Sequence, residues 1–373
     1  MKVTFFVLFT AFSQISALAE AERYKWRYNT IAHTLLRKEE NTLGLPDAKN
    51  AEYFDEKYGL LDKIIFQSVN YIGKVKATSA NYLSNISEAK RILRVIDSTL
   101  YMGDFIVCTE VNRFSTALSQ LDSDSAKCKY NSRGPLYRSR KDPGYNSSKH
   151  YNIDCDLGSM IYLGIADVIK LPIRLVQIRN HFFIRWVLPE NKFVEHLNWD
   201  INNAEIVSDE EYARRKLPGE EIFNYYRNMD STEIVGYYEF VIGYCLNLEK
   251  RFGLSKKYYL SSIEKRPYHP AYKGLLAKML ILSGQFETKE DYQLANDMGR
   301  VAVSLHPKSN WEYLSDHRDY VEALACSYAL LGDFNMALQT IKLCTSRDED
   351  LMHAFERKET GVKIYRRKRG FDI

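Results

Sequence analysis

At 373 residues, 45% hydrophobic and 27% charged, the chain is long enough for about two folded domains and is not a long disordered or low-complexity protein. Its 52 Lys and Arg nearly balance 48 Asp and Glu, a formal net charge of +4, so composition implies no broad nucleic-acid-binding field. Aromatic residues reach 13%, led by 27 Tyr, which suits helices packed through large side chains.

The chain opens like an export signal. Lys2 supplies a positive start, Val3 to Phe12 is an almost unbroken apolar run too short to span a bilayer, and Ala17-Leu18-Ala19 puts small residues where a signal peptidase reads. Cleavage is expected before Glu20, giving a periplasmic or secreted protein. No cysteine follows the run until Cys108, which excludes lipid attachment at a new N-terminal Cys. No later apolar stretch reaches the length of a spanning helix, so no stable membrane anchor is expected.

From Ala21 to about Gln120 the pattern is helical. Leu60, Leu61, Ile64, Ile65 and Val69 recur at helical spacing, and so do Ile92, Leu93, Val95, Ile96 and Leu100. The polar stretch Ser123 to Ser148 reads as an exposed loop long enough to suspect a function. Six cysteines occur: Cys108, Cys128, Cys155, Cys245, Cys326 and Cys344. Cys108 and Cys128 flank the loop and can pair if the compartment is oxidising, but the density is far below that of a disulfide scaffold, and buried free thiols are the favoured reading. No Cys or His spacing suggests a metal, and no glycine fingerprint suggests a nucleotide, so no cofactor is expected.

The stretch 150–225 changes character. A helix is expected over Asp156 to Ile169, limited by Pro172, followed by strands Ile173 to Ile178, Phe182 to Leu188 and Phe193 to Leu197. Pro189-Glu190-Asn191-Lys192 fits a hairpin turn, and helix followed by antiparallel strands gives an α+β unit. From about Thr232 the chain is helical again, with a repeating signature. In Tyr320 to Leu343, the residues Leu324, Ala325, Tyr328, Gly332, Asp333, Phe334, Ala337 and Leu338 match one tetratricopeptide unit. Leu276, Ala277, Gly284, Phe286, Ala295, Ala302 and Pro307 form an earlier copy. Ile242, Gly243, Phe252, Ser262 and Pro267 form a weaker one.

The chemistry-bearing set lies in the centre. Cys155 stands immediately before a helix, His181 at the start of a strand, and Asn198 at the end of the next. A thiol nucleophile needs this order of groups: the thiolate attacks, the imidazole holds and returns the proton, and a third side chain fixes the imidazole's tautomer. The helix N-terminus is expected to favour the thiolate and His181 to face it. Asp154 and Asp156 push the other way, so both are expected to point elsewhere, Asp156 serving the helix N-terminus. The plainer reading is a core cysteine and a structural histidine. Trp186 and Trp199 suit either a site wall or the core.

The words around these residues say more. Cys155-Asp156-Leu157-Gly158-Ser159-Met160-Ile161-Tyr162-Leu163 and Leu171-Pro172-Ile173-Arg174-Leu175-Val176 resemble the nucleophile helix and following strand of the transglutaminase-like superfamily. His181-Phe182-Phe183-Ile184-Arg185-Trp186 resembles its histidine strand, and Asn198-Trp199-Asp200 falls where the third residue belongs. The whole resembles the bacterial branch in which such a domain precedes tetratricopeptide-like repeats. Arg179-Asn180 departs from the Pro-Gly that usually stands before that histidine. The third residue is often Asp in the superfamily. Alignment by the hairpin favours Asn198, with Asp200 the alternative on the same side of a continuing strand.

The resemblance implies an α+β transglutaminase-like (papain-like) core with a C-terminal all-α repeat module. Residues 1–19 are the signal, 20–225 a helical part plus the core, 232–350 the repeats and 351–373 a basic tail, its charge run read as a solvated end. It implies a cysteine hydrolase or acyltransferase acting on amide bonds of protein or peptide through Cys155, His181 and Asn198, with a protein partner on the repeats. The alternative is a catalytically inactive scaffold that binds partners through the repeats. No nucleic acid is expected in either case.

Overall fold

A computed structural model describes residues 25–43, 48–76, 85–107, 113–121, 150–179, 181–187, 197–214, 225–305, 315–344 and 348–371. The export signal, Cys108, Cys128, Pro307, the body of the polar loop and the expected hairpin turn lie outside them. The fold is mixed α/β, with a small four-stranded antiparallel sheet and a helical C-terminal part.

Among the described residues three helices come first: α1 (Ile31–Leu43), α2 (Ala48–Lys76) and α3 (Ile86–Met102). The apolar stripe makes α3: Ile92, Leu93, Ile96 and Leu100 are buried, and the Asn85 side chain caps its start by accepting from the Ser87 and Glu88 amides. Phe54, Tyr58, Leu61 and Ile65 of α2 join the same core. A three-stranded sheet follows, order β1-β3-β2, from β1 (Phe105–Val107), β2 (Gln120–Leu121) and β3 (His150–Ile153), with the short helix α4 (Phe114–Ala117) between β1 and β2. β1 and β3 run parallel.

The central helix α5 (Cys155–Ile169) is apolar nearly all round and lies in the core. Gly158 lets it approach closely: a Cβ there would stand 3.3 Å from side-chain carbons of Ile153 and Ile201. It ends at Lys170, left-handed at φ 57, just before Leu171-Pro172. The meander β4 (Ile173–Ile178), β5 (His181–Trp186), β6 (Leu197–Asp200) and β7 (Glu205–Val207) comes next, antiparallel and in chain order, then α6 (Asp209–Arg214). Its two faces differ. Leu175, Phe182, Ile184, Trp186 and Trp199 pack in the main core with α5. Val176, Ile178, Phe183 and Val207 pack with Tyr212 of α6 in a separate small cluster. Trp186 and Trp199 are core residues.

The helical part comprises α7 (Ser231–Leu248), α8 (Phe252–Lys265), α9 (Pro270–Leu282), α10 (Lys289–Leu305), α11 (Ser315–Leu330), α12 (Phe334–Ile341), α13 (Glu349–Glu356) and α14 (Val362–Lys368). Asp230 and Glu233 form a capping box that starts α7. Gly332, at φ 86, makes the turn between α11 and α12, and Asp333 then caps α12 through the Met336 amide. Ala325 and Ala337 are fully buried between helices. Gly274 in α9 lies against the Tyr320 ring, whose atoms would be 2.5–2.6 Å from a Cβ there.

The basic run is only partly solvated. Residues 351–371 carry the rest of α13 and all of α14; Lys363 and Arg367 are exposed, while Arg366, Lys368 and Arg369 turn back onto the helical part. Arg369 pairs with Glu322 at 2.6 Å and with Asp319. Lys368 pairs with Asp348 at 2.7 Å, and Arg366 donates to the Ile281 carbonyl. Buried Tyr365 donates to the Asp319 carbonyl. Acidic partners spread over α11 and the start of α13 turn a charge run into a terminal cap.

The two parts share a sealed seam. Glu39 of α1 is buried and accepts from the Ser115 amide and hydroxyl and from the Tyr238 hydroxyl of α7. Arg266, buried at the end of α8, donates to Gln177 of β4 at 2.6 Å and to Tyr272 of α9 at 2.5 Å. Among the described residues no helix is long and apolar enough to cross a membrane.

Candidate functional site

Cys155 opens α5 and is half-buried. Asp154, not Asp156, caps the helix: its Oδ1 accepts from the Leu157 amide at 3.0 Å. Asp156 instead accepts from the hydroxyl of Tyr237 on α7. The Tyr237 ring packs against Phe182 of β5, with centroids 4.5 Å apart. The Phe182 backbone amide lies near the Cys155 sulfur and lowers the thiol's pKa. The thiol therefore meets the histidine strand at the residue next to His181.

His181 Nε2 lies 3.3 Å from Oδ2 of Asp200, an ion-pair distance without hydrogen-bond geometry. Oδ1 of Asp200 accepts from the Asn202 amide at 2.9 Å, a local turn that fixes the carboxylate. Asn198 does not take this place. Its Oδ1 accepts from Arg185 Nε at 2.8 Å, and its Nδ2 donates to Asp209 at 2.7 Å and to the Val207 carbonyl. Register decides it. Asn198 is paired with Arg185, two residue pairs beyond the one that would bring Asp200 opposite Phe183, so the acid is the nearer of the two to His181.

Strand alternation also corrects the expectation that the imidazole faces the thiol. His181 shares its face with Phe183 and lies 6.2 Å, centroid to centroid, from the Tyr212 ring, while Phe182 faces α5. Among the described residues, no hydrogen bond joins the Cys155 thiol to the His181 ring.

The electrostatics reverse the sequence expectation for the thiol. Burial pushes the Cys155 thiol well above its ordinary range, and the Asp156, Asp154 and Asp200 carboxylates add to the effect; only the Phe182 amide pulls down. Burial, then the neighbouring Asp156, also hold the Asp154 carboxyl well above the usual range. Tyr237 is pushed up in the same way by burial and by both acids. Among the described residues no group of His, Cys, Asp and Glu has the arrangement of a metal site.

Sequence reasoning missed Tyr237, which lies 82 positions beyond Cys155 in a helix read only as repeat. It weighed Asp200 as the alternative, and the Asp200-Ile201-Asn202 turn was the signal that favoured the acid. Comparison with family models, with curated proteins and with solved structures finds no match to this chain.

Proposed function

We propose that the protein is a thiol-dependent amide hydrolase or acyltransferase of transglutaminase-like type, acting on protein or peptide and exported through its N-terminal signal. The observation that carries this reading is the His181–Asp200 ion pair at the start of β5, one residue from Phe182, whose amide lowers the Cys155 pKa. For the reaction the His181 ring turns from the Tyr212 side toward Cys155, with Asp200 beside it, and a ring nitrogen takes the thiol proton. Cys155 sulfur then bonds to the substrate carbonyl carbon, the C–N bond breaks, and the imidazolium returns the proton to the leaving amine. Water or a second amine releases the acyl group from the thioester by the reverse route. Asp200 holds the ring, the role the sequence suggested for Asn198. The helical hairpins, with their tetratricopeptide-like spacing, would hold a protein substrate or partner.

A second reading is the inactive scaffold. It is favoured by a thiol that its surroundings keep protonated and that makes no bond to the imidazole. Limited iodoacetamide labelling near neutral pH, mapped by peptide mass spectrometry, separates the two. In the catalytic case Cys155 labels ahead of Cys245, Cys326 and Cys344, and His181→Ala slows it. If Cys155 labels no faster than the other three, and His181→Ala changes nothing, the scaffold reading replaces the catalytic one.

A further inference from the structure

We propose that the cavity where α5 ends, β4 begins and α7 starts binds a short peptide with both termini free and apolar side chains. Lys170, on its rim, caps the end of α5 opposite Cys155, roughly 20 Å away along the helix axis. The site is therefore separate from the thiol and stands whether or not Cys155 is catalytic.

The cavity holds about 580 Å³, within the range of about 300–1,000 Å³ usual for small-ligand sites. Its floor is apolar. Leu163 of α5, Leu175 of β4, and Met229 and Ile234 around the start of α7 line it and are buried. Such a floor takes up alkyl side chains but gives them no direction.

The rim supplies the direction. Asp167 and Lys170 lie one turn apart at the end of α5, Arg174 is on β4, and Asp230 precedes α7; all are exposed. Two acids and two cations thus border one cavity, yet among the described residues none of them makes an ion pair with another side chain. The acids hold backbone amides: Asp167 Oδ2 accepts from the Ile31 N–H at 2.8 Å, and Asp230 Oδ1 from the Glu233 N–H at 2.9 Å. Each keeps a second oxygen for a ligand. Arg174 donates Nη1 to the neighbouring Ile173 carbonyl at 3.0 Å and keeps its other donors. A ligand of one sign meets a repelling pair beside every attracting one. A zwitterion satisfies both, its carboxylate on Lys170 and Arg174 and its ammonium on Asp167 and Asp230. A short peptide carries these charges at the two ends of a chain whose side chains suit the floor. Since α5, β4 and α7 all wall the cavity, a bound peptide ties them together and raises the melting temperature.

The test is calorimetric titration of the full-length protein with Leu-Gly-Leu, its N-acetyl form, its C-terminal amide and Gly-Gly-Gly. Free Leu-Gly-Leu is expected to bind at millimolar concentration or below and to raise the melting temperature. Blocking either terminus should weaken it about tenfold, the loss of one charge-assisted contact. Gly-Gly-Gly keeps both charges, lacks the side chains and should bind at least as weakly as the blocked forms. Lys170→Gln with Arg174→Gln should erase the preference for a free carboxylate and spare that for a free amine. Asp230→Asn, which can still cap α7, should reduce the preference for the amine only. No binding, equal binding of free and blocked peptides, or variants that keep both preferences overturns the proposal. If a variant does not fold, the ranking of the four peptides on the parent decides alone. Cys155→Ala should bind as the parent does. Loss of binding in that variant would put the peptide at the thiol and also overturn the proposal, whereas the alkylation assay judges the catalytic reading independently.

Discussion

Asn198 and Asp200 stand two residues apart on one strand and face the same side of the sheet, yet only Asp200 reaches His181, at 3.3 Å, while Asn198 is taken up by Arg185 and Asp209. Substituting each separates orientation from support. Asp200→Ala should slow His181-dependent labelling of Cys155 roughly tenfold or more with a modest change in melting. Asn198→Ala leaves the buried Arg185 Nε without its acceptor and should cost about 1–3 kcal/mol in urea denaturation, with a smaller effect on labelling. The opposite ranking would return the third role to Asn198.

Asp97 supplies a pH signature of stability. It is fully buried on α3, accepts from the Tyr162 hydroxyl, and is pushed up to about 7 by burial. The folded state thus binds a proton that the unfolded chain gives up near its ordinary value. The stability tied to this proton is complete below about pH 4 and is lost as pH rises through about 7. Asp97→Asn keeps the acceptor for Tyr162 and removes the titration. Melting curves from pH 4 to 8 should show the variant declining less with pH than the parent, and parallel declines would refute the assignment.

Gly274 tests the packing of the helical part. The Tyr320 ring leaves no space for a methyl group there, and Tyr320 is itself buried. Gly274→Ala gains helix propensity yet should lose about 1–3 kcal/mol net, because neither helix can retreat freely. A thermal melt at or above the parent's would show that α9 and α11 are less tightly engaged than their contact implies.

Arg266 tests the seam. Its guanidinium satisfies Gln177 of the sheet and Tyr272 of α9, so Arg266→Ala strands two buried polar groups and opens a cavity, at about 2–4 kcal/mol. Pairing it with Gln177→Leu should recover part of the loss, since an apolar replacement removes one of the stranded groups. Additive losses in the double variant would mean that the two residues do not act as a unit.

Much of the fold was legible where the determinant is local. Pro172 and the apolar run mark the end of α5 and the whole of β4 at the boundaries the sequence suggests, and Gly332 with Asp333 marks the α11–α12 turn. What was not legible depends on partners distant in the chain. Parity puts Asn198 and Asp200 on one face, and only the pairing of β6 with β5 chooses between them. The parallel match of Phe105 with Tyr151 leaves no periodic trace in either segment. Lys368 and Arg369 looked solvated like the rest of their run because their acidic partners, Asp319, Glu322 and Asp348, are scattered upstream. The rise in the Cys155 thiol depends on burial and on carboxylates whose orientation no spacing rule supplies.

The bond from Tyr238 to Glu39 joins residues 199 positions apart. During synthesis α1 leaves the ribosome with a carboxyl meant for the interior, meets the Ser115 donors first, and waits until α7 follows for the Tyr238 hydroxyl. Until then buried Glu39 lacks one of its donors, which weakens closure of α1 over the core. A nascent chain stalled before residue 238 should therefore stay open to protease at α1 however complete its sheet is. Folding on the ribosome would then run from the helical part back toward the start of the chain.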